Sequence, residues 1–120
     1  MEISSIGQIA ITIRELPRAV AFYRDILGFR LLFEVSGMAF FDIGGVRLMM
    51  TAPEKPEATY SSILYYKTSD IRATATALEA KGVILESKPH MIAKMPDHEL
   101  WMAFFRDSEG NVLGLMSEVR

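Results

Sequence analysis

The tetrapeptide MAFF occurs twice, at 38–41 and 102–105, and each copy runs on through an Asp and a glycine turn: MAFFDIGGVRLMM, then MAFFRDSEGNVLGLM. Upstream, IAITIREL (9–16) and LYYKTSDI (64–71) are both short apolar, β-prone runs that close on an acidic and an aliphatic residue. Repetition on this scale constrains the fold more than any single motif, because each copy must build the same unit.

Each opening run leads into a helix. The first, about 17–27, has Pro17 in its first turn, sets Val20, Tyr23, Ile26 and Leu27 on one face and ends at Gly28. The second, about 71–81, takes Asp70 as its N-cap, presents Ile71, Ala75 and Leu78, and stops at Gly82. Strands FRLLFEV (29–35) and GVILES (82–87) follow. Two further strands come after each, joined by a tight turn at Gly44-Gly45 or a loop at 107–111. The reading is an α+β chain of two tandem βαβββ modules, about 6–52 and 61–118, in a single domain spanning 1–120.

Glu15 corresponds to Asp70, 55 residues on, and Gly45 to Gly110, 65 residues on, so the second module holds about ten extra residues. They fall within KPHMIAKMPDHEL (88–100), which carries both histidines, His90 and His98. A long loop added to a duplicated scaffold is a natural place for module-specific chemistry, with a plain longer connection as the alternative.

Half the residues are hydrophobic, 23% are charged, and the formal net charge is -2. The chain is long enough for a genuine core, and its Lys and Arg are scattered, so neither nucleic acid nor a membrane is an expected partner. It lacks an apolar run of transmembrane length, and a cytoplasmic location is expected. Without cysteine there are no disulfides, thiolate nucleophiles or cysteine metal sites.

With the modules in place, AVAFYRDILGF and RDSEGN closely resemble the vicinal oxygen chelate superfamily, which includes glyoxalase I, bleomycin resistance proteins and extradiol dioxygenases; the resemblance covers about 6–118. It implies that the modules curl into a cup-shaped eight-stranded mixed sheet with helices on its outer face, commonly as a homodimer. It also implies four metal-ligand positions in the cup, on Gln8 and Met49 of the first module and Ile63 and Gly114 of the second. Gln8 alone offers an oxygen there, and Met49 only a thioether suited to soft metals. The expectation is therefore no cofactor, although His90, His98 or Glu99 leaves a route to a divalent metal.

Strand alternation fills in the rest of the expected cup. Ala10 and Thr12 follow Gln8 inward, Arg47 accompanies Met49, and Tyr65 and Lys67 follow Ile63. Val112 and Met116 flank Gly114, and Met102 and Phe104 come from the seventh strand. Of Tyr65 and Tyr66, one faces the cup and the other the helix layer. Trp101 is expected to be a packing anchor.

Three functions fit. In the first, a metal-free protein binds a small, partly hydrophobic molecule through Gln8, Thr12, Arg47, Met49, Ile63, Tyr65, Met102, Phe104 and Gly114. In the second, a glyoxalase-like lyase or dioxygenase-type enzyme uses His98 or His90 as general base, with Glu99 or Asp97 orienting it. Thr12 stands where glyoxalase I keeps an arginine for glutathione, which argues against that particular reaction. The third is a structural dimer with a filled cup.

Overall fold

The computed structural model describes residues 1, 5–52 and 62–120. The chain divides into two compact units, Met1–Ser62 and Ile63–Arg120, which follow the two halves of the repeat. The start expected for module two, at 61, lies outside the described residues.

In the first unit, β1 (Gln8–Thr12) leads to α1 (Leu16–Ala21), a π-helical turn (Phe22–Ile26), β2 (Arg30–Val35), β3 (Met38–Ile43) and β4 (Val46–Thr51). The strands form one sheet in the order β1-β4-β3-β2, with β1 parallel to β4 and the other pairs antiparallel. In the second unit, β5 (Leu64–Lys67), α2 (Ile71–Ala80), β6 (Leu85–Lys94), β7 (Glu99–Arg106) and β8 (Val112–Val119) give the equivalent sheet, β5-β8-β7-β6. The expected βαβββ order is present in both.

The cores lie between each sheet and its helix. Ile11, Ala39, Phe41, Leu48 and Met50 bury one face of the first sheet beneath Ala19, Val20 and Tyr23. Ala103, Phe105, Leu113 and Leu115 do the same in the second, with Ile71, Ala75 and Leu78 from α2. Asp70 caps α2 as expected, its Oδ1 accepting from the Ala73 N–H at 3.1 Å. Gly44 and Gly45 both take positive φ, 58° and 90°, which a two-residue hairpin of the primed type demands. At the matching turn, Asp107 Oδ1 accepts from the Glu109 and Asn111 N–H groups, both at 2.8 Å.

Two expectations are corrected. The first helix is not α-helical throughout: the Leu27 N–H bonds the Phe22 carbonyl, five residues back, at 3.1 Å. The widened turn sets Tyr23 fully inside, its ring 6.1 Å from those of Phe29 and Phe41. The extra residues at 88–100 are not a loop either. They lengthen the β6–β7 hairpin, where His90 pairs with Met102, Met91 with Trp101 and Lys94 with Glu99, with three register shifts along the way. Met91 and Ala93, paired with Trp101 and Leu100, extend the strands, and only 95–98 turn, closed by the Met95 N–H on the His98 carbonyl at 2.8 Å. No helix among the described residues is long and apolar enough to cross a membrane.

Candidate functional site

Each sheet has a second face that its helix leaves open, and the register decides what stands there. In the first unit, Gln8 pairs with Arg47, Ala10 with Met49, and Met49 in turn with Phe40, so these side chains share that face. Phe40 stacks on Phe33, ring centres 4.6 Å apart, and the Arg47 guanidinium carbon lies 5.5 Å from the Phe40 ring centre. Arg47 Nε also donates to Gln8 Oε1 at 2.8 Å, while Gln8 Nε2 points at the Met49 sulfur, 3.7 Å away. Arg47 is thus turned onto its own sheet by an aromatic ring and an amide. Thr12 pairs with Thr51 at the end of the same face.

In the second unit, Gly114 lies between Tyr65 and Phe104, its register partners on either side. Met102 and Met116 pair one step along, with Lys67 beside Met116. The Tyr65 ring stands edge-on to Phe104 at 5.8 Å and 81°. It also covers Gly114: a Cβ on that residue would sit 2.6 Å from Tyr65 Cδ2 and 3.0 Å from Cε2. Gly114 is empty because Tyr65 occupies the space. Gly114 therefore opens no space of its own to a ligand: the ring fills the gap and is itself the exposed surface, 45% accessible.

The repeat explains the arrangement. Met49 and Gly114 are equivalent positions, and so are Ala10 and Tyr65; each module pairs one large side chain with one small, and the strand supplying the large one is swapped. Tyr66, the neighbour on the helix side, has its phenol pushed up to about 12, by burial first and then by the charge of Asp107.

The residues singled out for acid–base chemistry do not meet at one point. His90 lies beside Met102 on the open face of β6, its Nδ1 2.7 Å from the Lys88 carbonyl oxygen and 3.3 Å from Ser87 Oγ. His98 sits in the hairpin turn, with Nδ1 2.7 Å from Asp97 Oδ1 and Nε2 3.9 Å from a Glu118 oxygen. That contact holds the Asp97 carboxyl below the usual carboxylate range. Glu99 looks elsewhere, accepting from Trp101 Nε1 at 3.0 Å. Among the described residues no three His, Cys, Asp or Glu side chains cluster as a metal site would require.

Trp101 is part-buried on the helix side of β7. It forms part of the wall of a cavity of about 540 Å³ on the helix side of the second sheet, and Arg72 covers its ring at 4.8 Å.

A family model for the glyoxalase/bleomycin resistance protein/dioxygenase superfamily matches residues 5–115. The chain belongs to that superfamily. It is 28% identical to the uncharacterized protein YraH of Bacillus subtilis over 124 residues, 88% of this chain and 92% of that one. Among solved structures, it resembles TnmS3, an antibiotic binding protein from Streptomyces sp. CB03234, at 25% identity and TM-score 0.78, over 98% of both chains. It likewise resembles lactoylglutathione lyase from Agrobacterium tumefaciens at 22% identity and TM-score 0.77, over 98% of this chain and 96% of that one. That second likeness concerns the fold alone. At the four positions where the superfamily resemblance puts metal ligands, this member carries one amide oxygen already accepting from a guanidinium, a thioether, an isoleucine and a glycine.

Sequence reading missed Phe33, Phe40, Arg72 and Ser117. Phe40 was within reach, because the MAFF repeat pairs it with Phe104. Ser117 was also within reach, lying on the helix side by the same alternation that places Gly114 and Met116 on the other. Phe33 follows a bulge between Leu31 and Phe33 that shifts its parity, and the contact of Arg72 with Trp101 is tertiary.

Proposed function

We propose that this superfamily member binds a small, partly apolar molecule on the open sheet faces and does so without the family's metal. The observation that carries the reading is the Tyr65–Gly114 pair. Where metal-using relatives keep an acidic ligand, this chain has no side chain and lays a phenol ring over the gap. Gln8 supports it: a divalent cation would have to take Oε1 from Arg47 and sit beside a positive charge. The donor set does not fit a hard divalent ion.

What remains suits a binder. Tyr65, Phe104, Met102 and Met116 offer an aromatic and thioether surface, and Phe33 and Phe40 a second aromatic stack beside Arg47. Apolar walls with a few polar groups are usual for small-molecule sites, and methionines adapt to varied shapes. The description of TnmS3 as an antibiotic binding protein is consistent with this use of the fold. A cytoplasmic homodimer belongs to the same proposal; Met91 and Ile92, exposed on the edge strand β6, favour association.

The test is a thermal-shift screen of hydrophobic acids, quinones and aromatic antibiotics, with elemental analysis of protein purified without chelator. A ligand specific for the folded state raises Tm, and Tyr65→Ala and Phe104→Ala remove the shift. Stoichiometric nickel, zinc, iron or manganese overturns the metal-free reading, and no response to any class overturns binding.

The Asp97–His98 contact favours one second reading, an enzyme with His98 as general base. His98→Ala then abolishes turnover once a substrate is in hand, and unchanged turnover removes His98 from the reaction.

A further inference from the structure

Ser87 and His90 are three residues apart on β6, a spacing that puts side chains on opposite faces of a regular strand. Here they share a face. A register shift falls between them, so that Ser87 pairs with Phe104 and His90 with Met102, which are two apart on β7. Ser87 Oγ and His90 Nδ1 lie 3.3 Å from each other, as that placement requires. Pro89 sits inside the shifted stretch, on the outer edge of the sheet, where a missing N–H is tolerated. The irregularity sets a polar pair beside the patch of Tyr65, Phe104, Met102 and Met116.

The same stretch decides which imidazole nitrogen carries the proton. The Lys88 carbonyl oxygen, 2.7 Å from His90 Nδ1, can only accept, so Nδ1 donates to it and Ser87 Oγ is at most a second acceptor. In the neutral ring Nε2 then keeps a lone pair, and it has no partner among the described residues. With Nδ1 turned onto the strand's own backbone, Nε2 faces away from it, and His90 is exposed. The aromatic and thioether patch thus has one oriented acceptor at its edge, the complement of a ligand with an acidic O–H. Thioethers and aromatic edges favour that O–H on an aromatic ring.

We propose that His90 Nε2 selects the ligand of the second sheet's open face, a hydroxyaryl compound that donates its O–H to Nε2 and lays its ring against Met102 and Phe104. The inference rests on the reading of that face as a binding surface.

Equilibrium dialysis of the full chain at about pH 8, where histidine is ordinarily neutral, compares naphthol, its methyl ether and naphthalene. A purely apolar face prefers naphthalene, which has no hydroxyl to strip of water. The expected result is the reverse: naphthol binds about fivefold more tightly than either of the others, the worth of one hydrogen bond. His90→Phe, with circular dichroism showing it folded, abolishes that preference, and Phe104→Ala weakens all three ligands. If all three bind and Phe104→Ala weakens them, but naphthol is not preferred or the preference survives His90→Phe, the role of His90 is overturned and the binding surface stands. No saturable binding of any of the three overturns the proposal, and silence in the wider thermal-shift screen then overturns the binding surface with it.

Discussion

Gly114→Ala tests the account of the open face most directly, because its effect must depend on a residue 49 positions away in sequence. Gly114 carries no positive φ, so alanine suits its backbone, and in a strand that exchange alone gains about 0.5–1 kcal/mol. Against this, the new Cβ would lie 2.6 Å from Tyr65 Cδ2, and the half-exposed ring has to swing off its shelf. The ring then loses its edge contact with Phe104, worth roughly 0.5–1.5 kcal/mol, and on the order of 1 kcal/mol of partial burial. The net expectation is a destabilisation of about 1 kcal/mol. In a Tyr65→Ala background the clash is gone, so the same substitution stabilises by about 0.5 kcal/mol, a coupling of about 1.5 kcal/mol. Urea unfolding followed by circular dichroism reads this as a midpoint lowered by roughly 0.5 M in one background and raised slightly in the other. An equal, same-sign change in both would show that Gly114 serves its own backbone and not Tyr65, and the argument for the shelf would fall.

Ser117→Ala is expected to stabilise the ligand-free protein by about 1 kcal/mol, seen as a Tm several degrees higher, because it removes a buried hydroxyl without a partner. Asp70→Ala costs about 1 kcal/mol in the same assay through loss of the α2 cap. Tyr66 ionises near 10 in the unfolded chain but at about 12 when folded, so stability is complete below pH 10 and falls between pH 10 and 12. Tyr66→Phe flattens that decline in denaturation curves run at stepped alkaline pH. The Asp97 carboxyl is depressed in the fold by His98, so its contribution is present above the ordinary carboxylate range and fades as pH falls through its folded value. Asp97→Asn removes that acid-limb dependence, and an unchanged acid profile would refute the contact.

The module order, the cap at Asp70, the Gly44-Gly45 turn and the parity of Tyr65 against Tyr66 were legible because each rests on local rules: period-two alternation, capping chemistry and left-handed glycines. The π-turn at Phe22–Ile26 was not, since its hydrogen bond is set by how Tyr23 fits against Phe29 and Phe41, which come from other elements. The 88–100 segment read as a loop because it is about ten residues longer than its counterpart in the first module; the bulges that let a strand absorb such length carry no short-range signal. That Gly114 brings no ligating side chain was legible, but what covers it depends on Tyr65 lying directly across a parallel strand pair.

The swap between Ala10–Met49 and Tyr65–Gly114 shows how a duplicated scaffold can acquire two different surfaces while keeping one packing rule. Both modules fill the space beside the repeated phenylalanine of MAFF, Phe40 or Phe104, and either strand of the parallel pair can supply the atoms. Filling it from β4 with methionine leaves β1 free to present Gln8, which Arg47 then holds. Filling it from β5 with tyrosine requires β8 to give up its side chain altogether. That exchange forfeits the acidic position that the family resemblance places at 114 and gains an exposed aromatic face. The missing carboxylate at 114 and the exposed aromatic face are then a single packing decision, and an acidic residue introduced at 114 would meet the Tyr65 ring unless that ring were truncated.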